Sequence, residues 1–519
     1  MKIKLVAVLS AVVASGALVP SAFAHGFGER YDLPTPLSYF LVGAAAMVAL
    51  SFVLIGLFIK GINVDSEYPR FNLYNRRVLI LSGRLLSLII GCVSVILLLV
   101  TLYAGLLGTV TSINNFAPVF VWVIWWVGVG YIVALVGNIW AIANPWNVLF
   151  KWAEKLFGTV RPPLVSWPDK LDAWPALFLF LLFAWIENVY TSGARPYNLA
   201  ILVILYSIVS WTGMIVFGKH VWLKKADPFS VLFALFARFS PTEVRVINTG
   251  PDHSVCTQCI SGCAEYSERS DCIDCYECWE LADTDQKQIC LRPWAMGLSR
   301  GERVSNALVA FHVTALATVT FDGFSETSAW VSVQLALWPI IDSLPRDFFS
   351  FKISTSSIVS SMGIIFIPAI FALAYVQVCR FISIASNNQL QHGDVVKSFV
   401  FSLVPIALAY NLAHYLSFLL ITGQQIVPLI SDPFGFGWDL FGTYDYKPDI
   451  SIIDARFAWN LSIVAIVVGH VISVFIAHII SLRRTSSHKV AVNSQFPMLG
   501  LMVFYTAVSL WIIAQPIVE

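Results

Sequence analysis

Ten long apolar runs constrain the fold of this 519-residue chain more than any other feature of its sequence. Each run is long enough to cross about 30 Å of hydrocarbon as a helix. In hydrocarbon a chain must satisfy its backbone hydrogen bonds internally, as helices do. The pattern therefore predicts an all-α, polytopic integral membrane protein of about ten transmembrane helices. The predicted spans are 37–60, 85–108, 119–143, 172–190, 199–217, 304–322, 357–383, 398–422, 459–482 and 496–516.

Composition excludes the other broad classes of protein. Charged residues make up 12% of the chain and hydrophobic residues 58%, whereas about a quarter of the residues in a soluble domain are charged. A disordered chain would combine low hydrophobicity with a high net charge, and the net charge here is only +1. So balanced a charge offers no basic surface for nucleic acid, and the predicted partner is the lipid bilayer.

The first 24 residues have the pattern of a secretory signal peptide. Two lysines precede an apolar stretch, and Ala22-Phe23-Ala24 is a small-x-small cleavage signal. Cleavage would start the mature chain at His25, outside the cytoplasm, and an uncleaved first helix would give the same later topology. The predicted organisation is a signal peptide 1–24, an N-terminal membrane half 25–217, a cytoplasmic loop 218–303 and a C-terminal membrane half 304–519.

The distribution of Lys and Arg predicts the orientation. The loops of one side, with their flanking residues, hold 24 of the 32 basic residues, whereas the opposite side holds six and the signal peptide two. Basic residues accumulate on the cytoplasmic side. The mature N-terminus and the C-terminus then lie outside a bacterial inner membrane, and the short apolar segment 329–341 lies on the outer surface. The predicted cytoplasmic loops are 61–84, 144–171, 218–303, 384–397 and 483–495.

Seven of the nine cysteines fall within one polar segment, 253–293, of the long cytoplasmic loop. Disulfides are rare in the reducing cytoplasm, so grouped thiols there indicate metal binding. The other two cysteines, Cys92 and Cys379, sit alone in predicted spans. The predicted metal ligands are His253, Cys256, Cys259, Cys263, Cys272, Cys275, Cys278 and Cys290.

The spacing leaves open which metal these thiolates bind. Residues 272–278 contain a Cys-x2-Cys-x2-Cys run that matches the first three ligands of the bacterial ferredoxin pattern, although the fourth ligand does not follow at its usual place. The zinc alternative combines two pairs, Cys256/Cys259 and Cys272/Cys275. The close three-cysteine run favours an iron–sulfur cluster slightly over zinc. In either case the metal can simply hold the loop in its fold.

Polar side chains within the spans are costly in hydrocarbon and therefore indicate function. The topology places Glu187, Asp322, Asn411 and His414 near the outer ends of their helices, with His470 beneath them. These residues are predicted to form an intramembrane polar site. Such a site can bind a metal, accept a substrate or relay protons.

Histidines offer two further interpretations. His414 with His470, and His312 with His478, lie at similar depths, so each pair is a candidate for the axial ligands of haem b. Such a haem would extend an electron path from a cytoplasmic iron–sulfur cluster. At the predicted mature N-terminus, the amine and imidazole of His25 form a candidate copper site.

Three stretches resemble an uncharacterised family of bacterial multi-pass membrane proteins: AHGFGERYDLP at 24–34, NPW at 144–146 and LWIIAQP at 510–516. The resemblance covers nearly the whole chain and implies an integral bacterial membrane protein without an assigned activity. Separately, residues 256–293 resemble the cluster-binding segments of membrane-bound polyferredoxin-type proteins, which implies iron–sulfur binding.

Three functional hypotheses follow, and whether the protein is an enzyme is left open. The first is a membrane redox or metal-handling protein whose cytoplasmic thiolate site is coupled to the intramembrane polar site. The second is a secondary transporter or channel with a structural zinc site. The third is a non-catalytic assembly subunit that works with other subunits of a membrane complex. The sequence has no Walker A pattern, which argues against an ATP-driven pump.

Overall fold

The computed structural model describes residues 31–61, 68–73, 77–157, 163–247, 259, 271–300, 304–343 and 354–518. Within them the chain is mostly helical, and ten helices are long and apolar enough to cross a membrane. The predicted all-α, polytopic fold is therefore confirmed. The predicted signal peptide 1–24 and the candidate copper ligand His25 lie outside the described residues.

The described helices follow one another along the chain with short connections. They are α1 (Leu37–Phe58), α2 (Arg77–Leu107), α3 (Phe116–Leu135), α4 (Trp140–Ala143), α5 (Pro145–Phe157), α6 (Trp174–Asn188), α7 (Pro196–Phe217), α8 (Lys219–Lys225), α9 (Pro228–Ala237), α10 (Tyr276–Leu281), α11 (Asn306–Ser325), α12 (Ser328–Asp342), α13 (Thr355–Ala385), α14 (His392–Phe399), α15 (Val404–Thr422), α16 (Ile426–Ser431), α17 (Ala455–Arg484) and α18 (His488–Ile517).

The ten membrane-length helices match the ten predicted spans one for one. They are α1, α2, α3, α6, α7, α11, α13, α15, α17 and α18. Several begin at side-chain caps that satisfy otherwise unpaired backbone N–H groups. Ser305 caps α11, and Asp454 caps α17 by accepting a hydrogen bond from the Phe457 amide at 2.6 Å. Local capping chemistry therefore sets where these spans start.

Two features of the N-terminal half depart from simple spans. The central turns of α3, Val119–Val129, are wound as a π-helix, a conformation that is frequent at functional sites. The short helix α9 is apolar, and eight of its ten residues are buried. It packs against α6 and the end of α3, so it fills the interior of the bundle.

A small antiparallel sheet carries most of the described cysteine segment. Its strands are β1 (Phe71–Asn72), β2 (Thr242–Ile247), β3 (Asp271–Ile273) and β4 (Lys287–Leu291), in the order β1-β4-β2-β3. Strand β2 pairs Val246 with Cys272 on one side and Glu243 with Cys290 on the other. The polar segment therefore gains its order from pairing with strands outside it, which its composition alone did not predict.

The C-terminal half is held by close helix contacts. At Gly469 of α17, a Cβ atom would lie 2.3 Å from Ala409 Cβ and 2.8 Å from the Pro405 carbonyl oxygen of α15. Small residues let membrane helices approach in this way. The apolar segment predicted at 329–341 forms helix α12, in which Trp330 is buried against Phe321. The orientation of α12 relative to a bilayer stays a prediction.

Candidate functional site

Three cysteines converge beside the sheet. Cys275 immediately precedes α10, Cys278 lies in its first turn, and Cys259 joins them from the preceding loop. All three sulfur atoms lie within 4.8 Å of one another, and the Sγ atoms of Cys259 and Cys275 are 3.7 Å apart. Sulfurs bound to one tetrahedral zinc ion at about 2.3 Å would lie about 3.8 Å apart. The triad therefore has the spacing of ligands to a single metal ion.

The surroundings of the thiol triad (Cys259, Cys275 and Cys278) suit a metal site. Cys259 and Cys278 are buried, with Cys278 fully excluded from solvent. The Cys259 thiol donates a hydrogen bond to the Glu277 carboxylate at 3.3 Å, and carboxylate oxygen also serves as a zinc ligand. The donor set thus contains three sulfurs and an adjacent oxygen.

The remaining predicted ligands divide into two groups. Cys272 lies in β3, in the same small core as Cys259 and Cys278, but its sulfur is not part of the triad. Cys290 lies in β4, where burial and the neighbouring Glu243 raise the pKa of its thiol. The others fall outside the described residues, and these are His253, Cys256 and Cys263.

Glu280 anchors the thiol triad to helices next to the membrane spans. It lies two residues beyond Cys278, at 2.6 Å from Lys151 of α5 and 3.1 Å from Lys219 of α8. Burial alone would raise the pKa of Glu280, but the hydrogen bond from His220 and the two lysines outweigh it and hold the pKa below its usual range. The triad is thereby fixed against the membrane part of the protein.

Glu243 of β2 forms a second, fully buried anchor. Arg292 and Arg300 each place a nitrogen 2.8 Å from its Oε2, the Tyr68 hydroxyl donates at 2.6 Å, and Arg70 also pairs with it. Burial would raise the pKa of Glu243, but its partners, with Arg300 foremost, lower it below the usual value.

Two carboxylates meet within the membrane part. Glu187 of α6 accepts a hydrogen bond from the Trp126 indole of α3 at 2.5 Å and lies 3.4 Å from the Tyr415 hydroxyl of α15. The same hydroxyl donates to Asp322 of α11. Asp322 Oδ2 also lies 3.0 Å from His414 Nε2. We call these five residues the carboxylate cluster.

The carboxylate cluster borders a narrow cavity of about 30 Å³, enough for at least one water molecule. It runs from Glu187 to Phe180, which lie about 10 Å apart along α6. Asn411 and Thr318 contribute polar side chains to it, and α9 supplies an apolar wall. Of the five residues predicted to form the intramembrane site, Glu187, Asp322 and His414 are in mutual contact and Asn411 lines the cavity.

The other predicted intramembrane histidines lie in separate surroundings. His470 places Nδ1 at 2.7 Å from the Ile466 carbonyl oxygen and packs near Tyr505, away from the cavity lining. His312 similarly contacts the Leu308 carbonyl at 2.5 Å. His478 contacts Ile59 and Gln495 through its two ring nitrogens. Neither nitrogen of His478 is then left for a haem iron.

Sequence reasoning did not identify Trp126 and Tyr415, which link the carboxylates. Tyr415 directly follows His414 in the chain, so a polar pair in a span was a detectable signal. Trp126 gave none, because tryptophan is common near span ends. Comparisons with protein-family models, with curated proteins and with solved structures found no match. The function is therefore argued from these two sites alone.

Proposed function

We propose that this protein is a metal-handling protein of the bacterial inner membrane, with one thiolate-bound metal ion on its cytoplasmic side. The observation that supports this function is the convergence of Cys259, Cys275 and Cys278 within 4.8 Å. A sulfur separation of 3.7 Å suits a single ion such as Zn²⁺. Cysteines that hold an iron–sulfur cluster bind different iron atoms and so lie farther apart. The spacing thus favours zinc over the cluster that the sequence slightly favoured.

In this proposal the ion holds the cysteine loop against the membrane helices. It would complete a link from Cys275 and Cys278 through Glu280 to α5 and α8. Metal binding and local folding are coupled in small thiolate sites. Loss or exchange of the ion would then change how the loop packs on the membrane part, as a metal-handling or metal-sensing role requires.

The test is elemental analysis with a visible spectrum, on protein purified anaerobically in detergent. We expect zinc in the unsubstituted protein, its loss in Cys275→Ser, and its retention in the control variant Cys92→Ser, which changes a partly buried thiol within α2. Iron with acid-labile sulfide would instead establish a cluster and the electron-transfer hypothesis. Absence of any metal from the unsubstituted protein would refute the proposal.

The cavity supports a second candidate function, a secondary transporter. A carboxylate-bordered cavity between α3, α6, α9, α11 and α15 is the arrangement expected where helices enclose a path for a polar solute. In this candidate the thiolate-bound zinc has only a structural role. A colourless protein that keeps its zinc would favour transport over electron transfer.

A further inference from the structure

The carboxylate cluster contains one acid more than its described cations can pair. Asp322 has His414 beside it, with Nε2 and Oδ2 at 3.0 Å. Glu187 has only the Trp126 indole and the Tyr415 hydroxyl as polar partners, and no ion pair with it occurs among the described residues. An ionised carboxylate without a counter-charge is costly inside a membrane protein. Charge balance therefore favours a neutral, protonated Glu187.

Counting hydrogen-bond donors leads to the same result. The Tyr415 hydroxyl has a single proton, which it donates to Asp322 in the shorter of its two contacts. Its 3.4 Å contact with Glu187 then lacks a donor, unless Glu187 carries a proton of its own. A protonated Glu187 completes the chain Glu187–Tyr415–Asp322.

An unpartnered buried group next to the cluster gives independent support. The Tyr410 hydroxyl makes no hydrogen bond in the described structure although the residue is only 1% exposed. It lies against Gly323, where a Cβ atom would be 2.4 Å from the hydroxyl and 3.5 Å from His414 Nδ1. A buried, unsatisfied hydroxyl beside an acid–histidine pair is the kind of group that binds water or a mobile proton.

We propose that Glu187 and Asp322 form a proton-binding site in which Tyr415 relays one proton between them. Asp322 is the outer member, because its side chain is 21% exposed at the end of α11. Glu187 is the inner member, because it borders the cavity. The site deepens the transporter candidate by naming the proton as the coupling ion, and it does not depend on the thiol triad.

The relay step balances in protons and charge. Glu187 gives its proton to the Tyr415 oxygen as the Tyr415 proton passes to Asp322, so one carboxyl group is neutral before and after the step. Glu326 and His414 are the other titratable groups facing Asp322, and α9 adds only apolar side chains to the cavity. Water in the cavity would then receive the proton from Glu187 on the inner side.

The test is infrared difference spectroscopy of the full-length protein in lipid vesicles, in H₂O and in D₂O at neutral pH. We expect a carboxylic C=O band that disappears in Glu187→Gln and persists in Asp445→Asn, a control in the exposed loop after α16. The band should shift in D₂O, and in Asp322→Asn this shift should slow because the outer member of the relay is lost. A band unaffected by Glu187→Gln would overturn the proposal.

A second variant protects the test against misfolding of Glu187→Gln. Tyr415→Phe keeps the ring and removes the relay hydroxyl, so we expect the C=O band to move to the frequency of a less hydrogen-bonded acid. The control Tyr444→Phe changes an exposed tyrosine and should leave the band in place. An unmoved band in Tyr415→Phe would refute the relay even if a substrate-transport assay succeeded.

Discussion

At the scale of single residues, Glu243 shows how one buried carboxylate joins the sheet to the membrane helices. Arg292, itself fully buried, pairs with Glu243 and also donates to the carbonyl oxygens of Ala237 and Ser240 at the end of α9. Removing one partner of a buried ion pair leaves the other charge uncompensated in a poor solvent. The position of α9 therefore depends on a side chain that follows the sheet.

We expect Arg292→Met to lower the free energy of unfolding by about 3–5 kcal/mol, since it leaves Glu243 short of a counter-charge. Denaturant unfolding in detergent micelles would measure this loss. The matched control is Arg245→Met, which removes a pair with Asp271 whose arginine is 24% exposed, and it should cost about 1 kcal/mol or less. Equal losses in the two variants would contradict the special role of Glu243.

At the scale of elements, similar sequences acquire different environments. Helices α5 and α9 both begin with proline after an Asn or Asp residue, which is a favourable helix start. Yet α5 buries only its first three residues, whereas α9 is buried along most of its length. Helix starts are local properties, but the burial of a helix depends on what the rest of the chain packs against it.

The close approach of α15 and α17 leads to a prediction for Gly469→Ala. Its Cβ would meet the Pro405 carbonyl oxygen at 2.8 Å, and backbone cannot move aside as a flexible side chain does. We expect a loss of about 1–3 kcal/mol, seen as a lower unfolding temperature in detergent. Gly500→Ala in α18 meets no atom within 4 Å and should be neutral or slightly stabilising. Similar losses in both variants would refute the packing argument.

At the scale of the whole molecule, the thiol triad and the carboxylate cluster belong to different layers. The triad lies in the sheet and loop region that Glu280 and Glu243 anchor to the bundle. The carboxylate cluster lies among the membrane helices. Helix α9 connects the two layers, because Arg292 binds its last turn and its side chains line the cavity.

The asymmetry of Lys and Arg predicts which side of the bilayer each layer faces. In intact spheroplasts, a membrane-impermeant maleimide should label Asp445→Cys in the outer loop above the level of the unsubstituted protein. It should label Asp285→Cys, next to the thiol triad, only after lysis. Both positions are exposed in the structure. The reverse pattern would show that the orientation is inverted.

How far the sequence predicts the site differs between its two parts. The Cys-x2-Cys spacing of Cys275 and Cys278 is local, so the sequence could identify both as ligands. Their partner Cys259 was one of several equivalent choices, because only the folded loop decides which distant thiol reaches α10. In the membrane, Glu187 and Asp322 stood out by their cost in hydrocarbon, yet their link through Tyr415 needed the packing of α6, α11 and α15.

The sequence by itself determined the ten membrane helices, since the length and apolarity of each run decide whether it can satisfy its backbone in a bilayer. It also determined the cysteine segment as a separate polar region. Only the tertiary structure decided which helices are neighbours, and so placed His414 beside Asp322 and left His470 apart. Helix adjacency depends on side-chain packing between segments far apart in the chain, which the local pattern of a span does not encode.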